Sequence, residues 1–389
     1  MPSLAAARQH TLRERNLELV ARAVYEAPEP VSRADVASST GLARATVSTL
    51  VDRLVAGRLL AELAPVSAQR AGRPGVPLVP AARSVVGIGL EVNVDYLGAS
   101  VIDLMNDVVD ERVEPGSFHD SNPAEVLPRV GDLARELIAS AESEGMRVAG
   151  ARLALPGLVD AHSGLLQVAP NLGWSTLNPV PLLGLSGLRV DVANEAKLAA
   201  LAELTGDVAS SFLYVSADVG IGAAIVVDGH LFLGERGWNG EIGHVQIDPA
   251  GPRCGCGATG CLEQYAGKEA VNRAAGLPAD APVEALVRAV EARSPAAQAA
   301  LERAASALGT ALADFVNLVD VGTVVLGGAY TTLLPWMRDD VEATLADRVL
   351  SAPFAPVRVR GAVAGPYAAM AGGAREVLRD VLASPADWV

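Results

Sequence analysis

The sequence predicts a small helical head carrying a β-ribbon, followed by two related α/β lobes. Three observations support this fold class. Charge changes sign near residue 80: the first eighty residues carry ten Arg against seven Asp or Glu, whereas the remainder carries 21 Lys or Arg against 38 Asp or Glu. Short helical patterns crowd the first sixty residues, and beyond residue 85 a strand-rich passage occurs twice, each time followed by helices. A chain of 389 residues also exceeds the roughly 100 to 200 residues of a typical domain, so two or three compact units are expected.

Composition excludes several classes. With 50% hydrophobic and only 4% aromatic residues, the chain suits tightly packed α/β layers and not disorder. Three cysteines cannot all pair, and the opening MPSLAAARQHTLRERN lacks the apolar core of a signal peptide, so a cytoplasmic location is expected. The longest uncharged run, 161–188, is broken by Pro170, Pro179 and Pro181, which argues against a membrane span. A net charge of −14 would disfavour nucleic acid as a partner, but the head alone is net basic.

In the head, LRERNLELVARAVYEAP places Leu17, Val20 and Val24 on one helical face, and Pro28 and Pro30 end the run. SRADVASSTG reads as a short helix with Ser32 and Asp35 in a capping box and Gly41 as the turn. LARATVSTLVDRLVAG spaces Val47, Leu50, Val51, Leu54 and Val55 at i, i+3, i+4, i+7 and i+8, with Gly57 as its stop. A short helix, a tight turn and a longer amphipathic helix form a helix-turn-helix, whose second helix enters a major groove.

On that second helix Ala45, Thr46, Ser48 and Thr49 face away from the apolar stripe. Arg44 at its start is placed for a guanine edge or a phosphate, Arg53 for the DNA backbone, and Arg33 at the head of the preceding helix is a further expected DNA contact. LLAELAPV and GVPLVP then read as two strands joined by SAQRAGRP, a wing whose Arg70 and Arg73 reach phosphates or a minor groove. The expected partner is a double-stranded DNA operator, and because operators are two-fold, a homodimer or a dimer of dimers is expected. A helical oligomerisation module with a solvated polar face is the competing reading.

The first lobe opens with VVGIGLEV, YLGASVIDL and VVDERVEP, a β-meander, before a helix around 124–143. SFLYVSADVGIGAAIVVDGHLFLG repeats the pattern, followed by helices over 283–321 and the buried strand TVVLGG. Between these runs, HVQIDPAGPRCGCGATGC concentrates Cys254, Cys256 and Cys261, every cysteine of the chain, behind His244. Free thiols in a mobile loop, a redox switch and a metal site are all compatible with the spacing.

The longer stretch GEIGHVQIDPAGPRCGCGATGCLEQYAG, together with LPGLVD, APNLGW, VANEAKLAALAEL, GIGAA and VLGGA, resembles the ROK family of repressors, open reading frames and sugar kinases. The resemblance runs over nearly the whole chain. It implies a winged helix-turn-helix domain over 1–80, followed over 81–389 by a sugar-binding domain with the two-lobed, actin-like sugar-kinase fold. Its lobes are expected at about 81–192 with a C-terminal helix 371–389, and at 193–370.

The resemblance also implies a structural zinc ion on His244, Cys254, Cys256 and Cys261, a Cys3His set that leaves no open position. It assigns sugar hydroxyls to Glu241, His244 and Glu263 on one side and to Asn194 and Glu195 on the other, with Gly157 and Asn171 on further sugar-side loops. Carboxylates and amides accept and donate in the pattern vicinal hydroxyls need. A monosaccharide or sugar derivative is therefore the expected effector.

Two departures from the kinase pattern argue against an enzyme. The family's catalytic Asp is Glu195 here, and a misplacement of about 1 Å can cost roughly 100-fold in rate. The kinase phosphate loop, Asp-x-Gly-Gly-Thr, reads Gly89-Leu90-Glu91-Val92-Asn93, where Val92 is expected to block the phosphate and Glu91 to repel it. In the second loop Asp218 and Val219 precede Gly220 in place of Gly-Thr. The expected function is a sugar-responsive DNA-binding transcriptional repressor that binds its sugar between the lobes; a sugar kinase, or a regulator answering to a protein partner, are the alternatives.

Overall fold

The computed structural model describes residues 9–64, 76–204, 209–217 and 220–389, with side chains from residue 12 onward. The head comprises α1 (Gln9–Tyr25), β1 (Val31–Ser32), α2 (Arg33–Thr40), α3 (Arg44–Ala56), β2 (Leu60–Glu62) and β3 (Pro77–Pro80). Leu17, Val20 and Val24 of α1 pack with Val47, Leu50, Val51 and Leu54 of α3 into one buried cluster, which is the stripe the spacing predicts. The capping box at α2 is complete: the Asp35 amide donates to Ser32 Oγ at 3.3 Å, and the Ser32 amide donates to Asp35 Oδ2 at 2.9 Å. Gly41 ends α2 in the left-handed region at φ 71°.

Gly57 ends α3 in the right-handed region, and the left-handed turn falls on Arg58 at φ 57°. β3 lies between β1 and β2 in an antiparallel sheet of three strands. The expected wing strands are thus present but short. Its loop, with Arg70 and Arg73, lies outside the described residues, as do Asp218 and Val219.

Two five-stranded sheets follow, with one topology repeated. In the first, β4 (Val85–Val92), β5 (Tyr96–Asp103) and β6 (Val108–Pro115) form the antiparallel meander. After α4 (Pro123–Ser143), β7 (Arg147–Leu155) adds parallel to β4, and a small sheet of β8 (Leu158–Val159), β9 (Leu166–Ala169) and β10 (Trp174–Leu177) intervenes. β11 (Val190–Asn194) then completes the order β11-β7-β4-β5-β6 and leads into α5 (Glu195–Ala202).

In the second sheet β12 (Phe212–Ala217), β13 (Ile221–Val227) and β14 (His230–Phe232) are antiparallel. After α6 (Glu263–Ala266), α7 (Lys268–Ala274), α8 (Val283–Glu291) and α9 (Pro295–Val319), β15 (Thr323–Gly328) adds parallel to β12. Beyond α10 (Ala329–Arg348), β16 (Arg358–Gly361) completes the order β14-β13-β12-β15-β16. Each sheet therefore sets an antiparallel ribbon beside two parallel strands; helices make the crossovers except before β11, which the small sheet precedes. Among the described residues no helix is long and apolar enough to cross a membrane.

The last helix, α11 (Ala368–Ala383), starts three residues earlier than expected and stops before a short turn at Pro385–Asp387. Its glycines permit close packing. A methyl group on Gly372 would stand 1.8 Å from the Leu198 carbonyl oxygen of α5, and one on Gly89 of β4 would stand 1.8 Å from the Met370 carbonyl oxygen. Farther along, Ala374, Leu378, Val381 and Leu382 join Leu17, Val24 and Leu54 in the core of the head. Arg147 donates to the carbonyls of Gly57 and Trp388 and stacks over the Trp388 ring at 5.4 Å, closing the same junction.

Replacing Ser32 with Ala removes the oxygen that caps α2, at a typical cost of about 1 kcal/mol. Hydrogen exchange should register this as faster exchange of the α2 amides, with those of the two large sheets unchanged.

Candidate functional site

The start of α5 is the hub of the site. Asn194 caps this helix by accepting from the Lys197 amide at 3.3 Å, and its Nδ2 donates to the Gly157 carbonyl at 3.0 Å. Gly157 is held at φ 90°, and a methyl group there would meet the Val168 carbonyl oxygen at 2.1 Å, so this loop admits only glycine.

Glu241 stands half-buried at the entry to a short turn over Ile242–His244. Burial pushes its carboxyl up, as does Glu263, while His244 and Lys197 pull it down. A methyl group on Gly220 would stand 2.9 Å from Glu263 Oε2 and 3.7 Å from Asn171 Nδ2, so those two side chains flank the start of β13. Glu263 and Asn171 thus meet at the start of β13, while Asn194 and Lys197 meet at the start of α5.

Lys197 is the residue the sequence reading missed. Its side chain is 4% exposed, and Nζ donates to the Asn239 carbonyl at 2.9 Å. Burial lowers its pKa, and the carboxylate of Glu241 raises it. The signal was a single cation in the otherwise Ala- and Leu-rich EAKLAALA, three residues after the helix cap. An amphipathic surface helix does not place its one charge on a buried face without a partner.

Glu195 lines a cleft of about 510 Å³, bounded also by Glu91 and Tyr96 of the first sheet, by Gly328 of the second and by Ala329 at the start of α10. Here one expectation is corrected. Val92 lies in the core of the first sheet with Ile88 and Leu90, because alternate residues of β4 point to opposite faces, so it cannot obstruct a ligand in the cleft. Glu91 is the residue of that strand that faces the cleft.

The cysteines converge. One ligand atom from each of His244, Cys254, Cys256 and Cys261 lies within 4.8 Å of the others, with Cys254 Sγ 3.7 Å from His244 Nδ1 and Cys256 Sγ 3.7 Å from Cys261 Sγ. Sulfurs at metal–sulfur distances of about 2.3 Å in a tetrahedron stand about 3.8 Å apart, so the donor set fits a tetrahedral ion. Cys254 and Cys261 are buried and Cys256 is exposed. Burial and the neighbouring thiols push Cys261 up to about 12, whereas the Ala258 backbone helps lower Cys256.

The loop closes through Ile247 donating to the Gly260 carbonyl at 2.7 Å and Cys254 donating to the Ala258 carbonyl at 2.9 Å. Gly260, at φ 70°, leaves no room for a side chain against the Asp248 carbonyl. The cluster can hold a metal ion, and His244 turns Nδ1 toward it, which leaves Nε2 for another partner.

In the head, Ala45 and Thr49 are exposed, Thr46 and Ser48 are half-buried, and Arg44 and Arg53 are exposed on α3. No side chain caps the start of α3 at Ala43. Arg33 is engaged differently: its guanidinium reaches Asp52 at 2.8 Å, Glu62 at 2.6 Å and the Ser48 carbonyl at 3.3 Å, tying α2 to α3 and β2.

The comparison that decides the family covers most of the chain: residues 87–379 match the model described as "ROK family". The chain belongs to the ROK family. It is 26% identical over 402 residues to a xylose repressor of Caldicellulosiruptor bescii, covering 97% of this chain and 98% of that one. Its fold is similar to that of a ROK family transcriptional regulator described as a homologue of the E. coli MLC protein, with a TM-score of 0.80, 26% identity and coverage of 96% and 97%. A ROK hexokinase from Thermus thermophilus aligns with a TM-score of 0.62 and 29% identity over 76% of this chain and 99% of its own. The two lobes of this ROK protein thus have the actin-like sugar-kinase fold, and the regulator match extends over the head as well.

Removing the charge of Lys197 tests the hub. Lys197→Met deletes a buried, charged hydrogen bond and should destabilise the protein by about 2 kcal/mol in chemical denaturation. A change below about 0.5 kcal/mol would show that Glu241 and Asn239 do not depend on it.

Proposed function

We propose that this protein is a sugar-responsive DNA-binding transcriptional repressor. It carries a winged helix-turn-helix head over 1–80 and a sugar-binding body over 81–389, divided near 192 and near the start of α11. The observation that carries the reading is the reach of α11. Ala368 and Ala369 in its first turn line the cleft, and Leu378, Val381 and Leu382 in its last turns belong to the core of the head. At 1.5 Å per residue these ends lie about 20 Å apart on one rigid helix.

A sugar bound among Asn171, Asn194, Glu241, His244 and Glu263, with Gly157 shaping the loop beneath it, draws the lobes together at the start of α5. Because α5 packs against α11 through Gly372, that movement reaches α3 through the shared core. A coupling of about 1 to 3 kcal/mol would change operator affinity roughly 5- to 150-fold. On the DNA side, the uncapped amides of α3 suit a phosphate, while Arg44, Ala45, Thr46, Ser48 and Thr49 face the groove and Arg53 the backbone. Arg33 holds this surface in place instead of reading it. Two chains bind one two-fold operator.

The kinase reading is disfavoured by Glu91, which puts a carboxylate where a nucleotide phosphate would have to lie, and by Glu195 in place of the catalytic Asp. The metal is zinc in a structural role. His244, with Nδ1 toward Cys254, would hold the ion through that nitrogen and keep Nε2 for a sugar hydroxyl.

Operator DNA selected from a random duplex pool provides the test. Arg44→Ala and Thr49→Ala should each weaken binding about tenfold, and a sugar from a panel of monosaccharides and their phosphates should shift the affinity of the native protein. Sugar-dependent ATP hydrolysis at an enzymatic rate would establish the kinase reading instead. A metal assay completes the set: fresh protein should carry one zinc per chain, and Cys254→Ser should lose both the zinc and the sugar response while DNA binding persists.

A further inference from the structure

We infer that Cys256 is an oxidation site: hydrogen peroxide joins it to Cys261 in a disulfide, and the donor set of the metal is dismantled. This rests on the proposed metal and goes beyond it, from holding an ion to releasing it on an oxidising signal. Of the three thiols Cys254 and Cys261 are buried, and Cys256 alone is exposed. A small oxidant in water therefore reaches one sulfur of the set first.

The hairpin around Cys256 decides its partner. Cys256 stands at the tip of a turn in which the Cys254 amide donates to the Ala258 carbonyl at 2.9 Å and the Gly257 amide to the Cys254 carbonyl at 3.0 Å. A methyl group on Gly255 or Gly257, its two neighbours, would meet nothing within 4 Å, so the tip has room to shift. Cys261 is held: it is bridged to Gln246, and its carbonyl accepts from the Gln264 amide at 2.9 Å. Its Sγ lies 3.7 Å from that of Cys256, so a closure of about 1.7 Å at the tip brings the sulfurs to the roughly 2.0 Å of a disulfide. Cys254 shares the turn with Cys256, has His244 Nδ1 at 3.7 Å, and is the thiol left over.

The chemistry takes two displacements. The Cys256 sulfur attacks one oxygen of the peroxide, an S–O bond forms as the O–O bond breaks, and the departing oxygen takes a proton and leaves as water. The Cys261 sulfur then attacks the Cys256 sulfur, an S–S bond forms as the S–O bond breaks, and the second oxygen leaves as water in the same way. Each sulfur loses one electron and the peroxide gains two. The protons come from the thiols, or from solvent where the sulfurs are thiolates. His244 and Cys254 remain as two donors where a closed tetrahedral site takes four, so the ion is released. In the proposed function the oxidised protein keeps its operator and stops answering to sugar.

Full-length, zinc-loaded protein treated with a small excess of hydrogen peroxide tests this. Released zinc is followed with a colorimetric chelator, and surviving thiols are located by alkylation and peptide fragmentation. The zinc should be released as two thiols are lost, Cys254 should be the residue alkylated, and dithiothreitol with added zinc should reverse both changes. Three thiols still alkylated after peroxide, Cys256 or Cys261 as the surviving thiol, or zinc retained beside the disulfide would each overturn the inference. The same disulfide in protein that never carried zinc would refute the proposed metal and leave Cys256 as an oxidation site. The zinc and thiol readouts involve no sugar, so they stand or fall separately from the proposed effector.

Discussion

The closeness of α11 to its neighbours is the constraint on which the rest of the molecule depends. Along β4 one face is Gly87, Gly89 and Glu91, and the other is Val86, Ile88, Leu90 and Val92. The second face fills the core of the first sheet. The first lies beneath α11, where a methyl group on Gly87 would stand 2.2 Å from the Ala374 carbonyl oxygen and one on Gly89 even closer to that of Met370. Past Gly89 the helix runs out, and the next residue on that face, Glu91, lines the cleft. A single helix thus sets the floor of the cleft, the seat of α5 and part of the core of the head. Backbone contacts this tight leave no slack for small sliding, so a displacement at one end moves the helix as a body.

What was legible in the sequence follows from which forces leave a local trace. The meanders of both sheets were readable because their antiparallel strands are consecutive apolar runs separated by turns, and the helix-turn-helix because Ser32, Asp35 and Gly41 punctuate it. β7 and β11 were not singled out, since a parallel strand is defined by a partner far away in the chain. The face of Val92 was misjudged for a related reason: alignment to a phosphate loop gives residue type, but side-chain direction comes from the pleat. The importance of α11 was hidden as well, because AAMAGGA has few large side chains and its packing depends on what is absent from the glycines. Of the site, the residue types were visible as motifs, whereas Lys197 became visible only once α5 was seen to be buried on every side.

In the proposed reading, sugar and metal recognition meet at His244. A ring with Nδ1 toward Cys254 has its plane fixed by the loop that Gly260 closes, and the neighbouring turn carries Glu241. Cys261 is followed at once by Leu262, buried in the core of the second sheet, and then by Glu263. Both carboxylates are therefore attached to the ends of one loop. Anything that loosens the thiol cluster displaces Glu241 and Glu263 together, although neither carboxylate belongs to it.

On the proposed repressor reading, the same strand would make a kinase hard to recover from this chain by single changes. Removing the Glu91 side chain would relieve the charge in the cleft, but a phosphate also needs backbone amides turned toward it. The amides of β4 are already committed to the ladders with β5 and β7, and Gly89 is covered by Met370. Opening that strand into a loop would withdraw the surface on which α11 rests. A helix pressed against an unbroken β4 suits a protein that transmits the state of its cleft to another domain, whereas phosphoryl transfer would require that strand end to yield to a nucleotide.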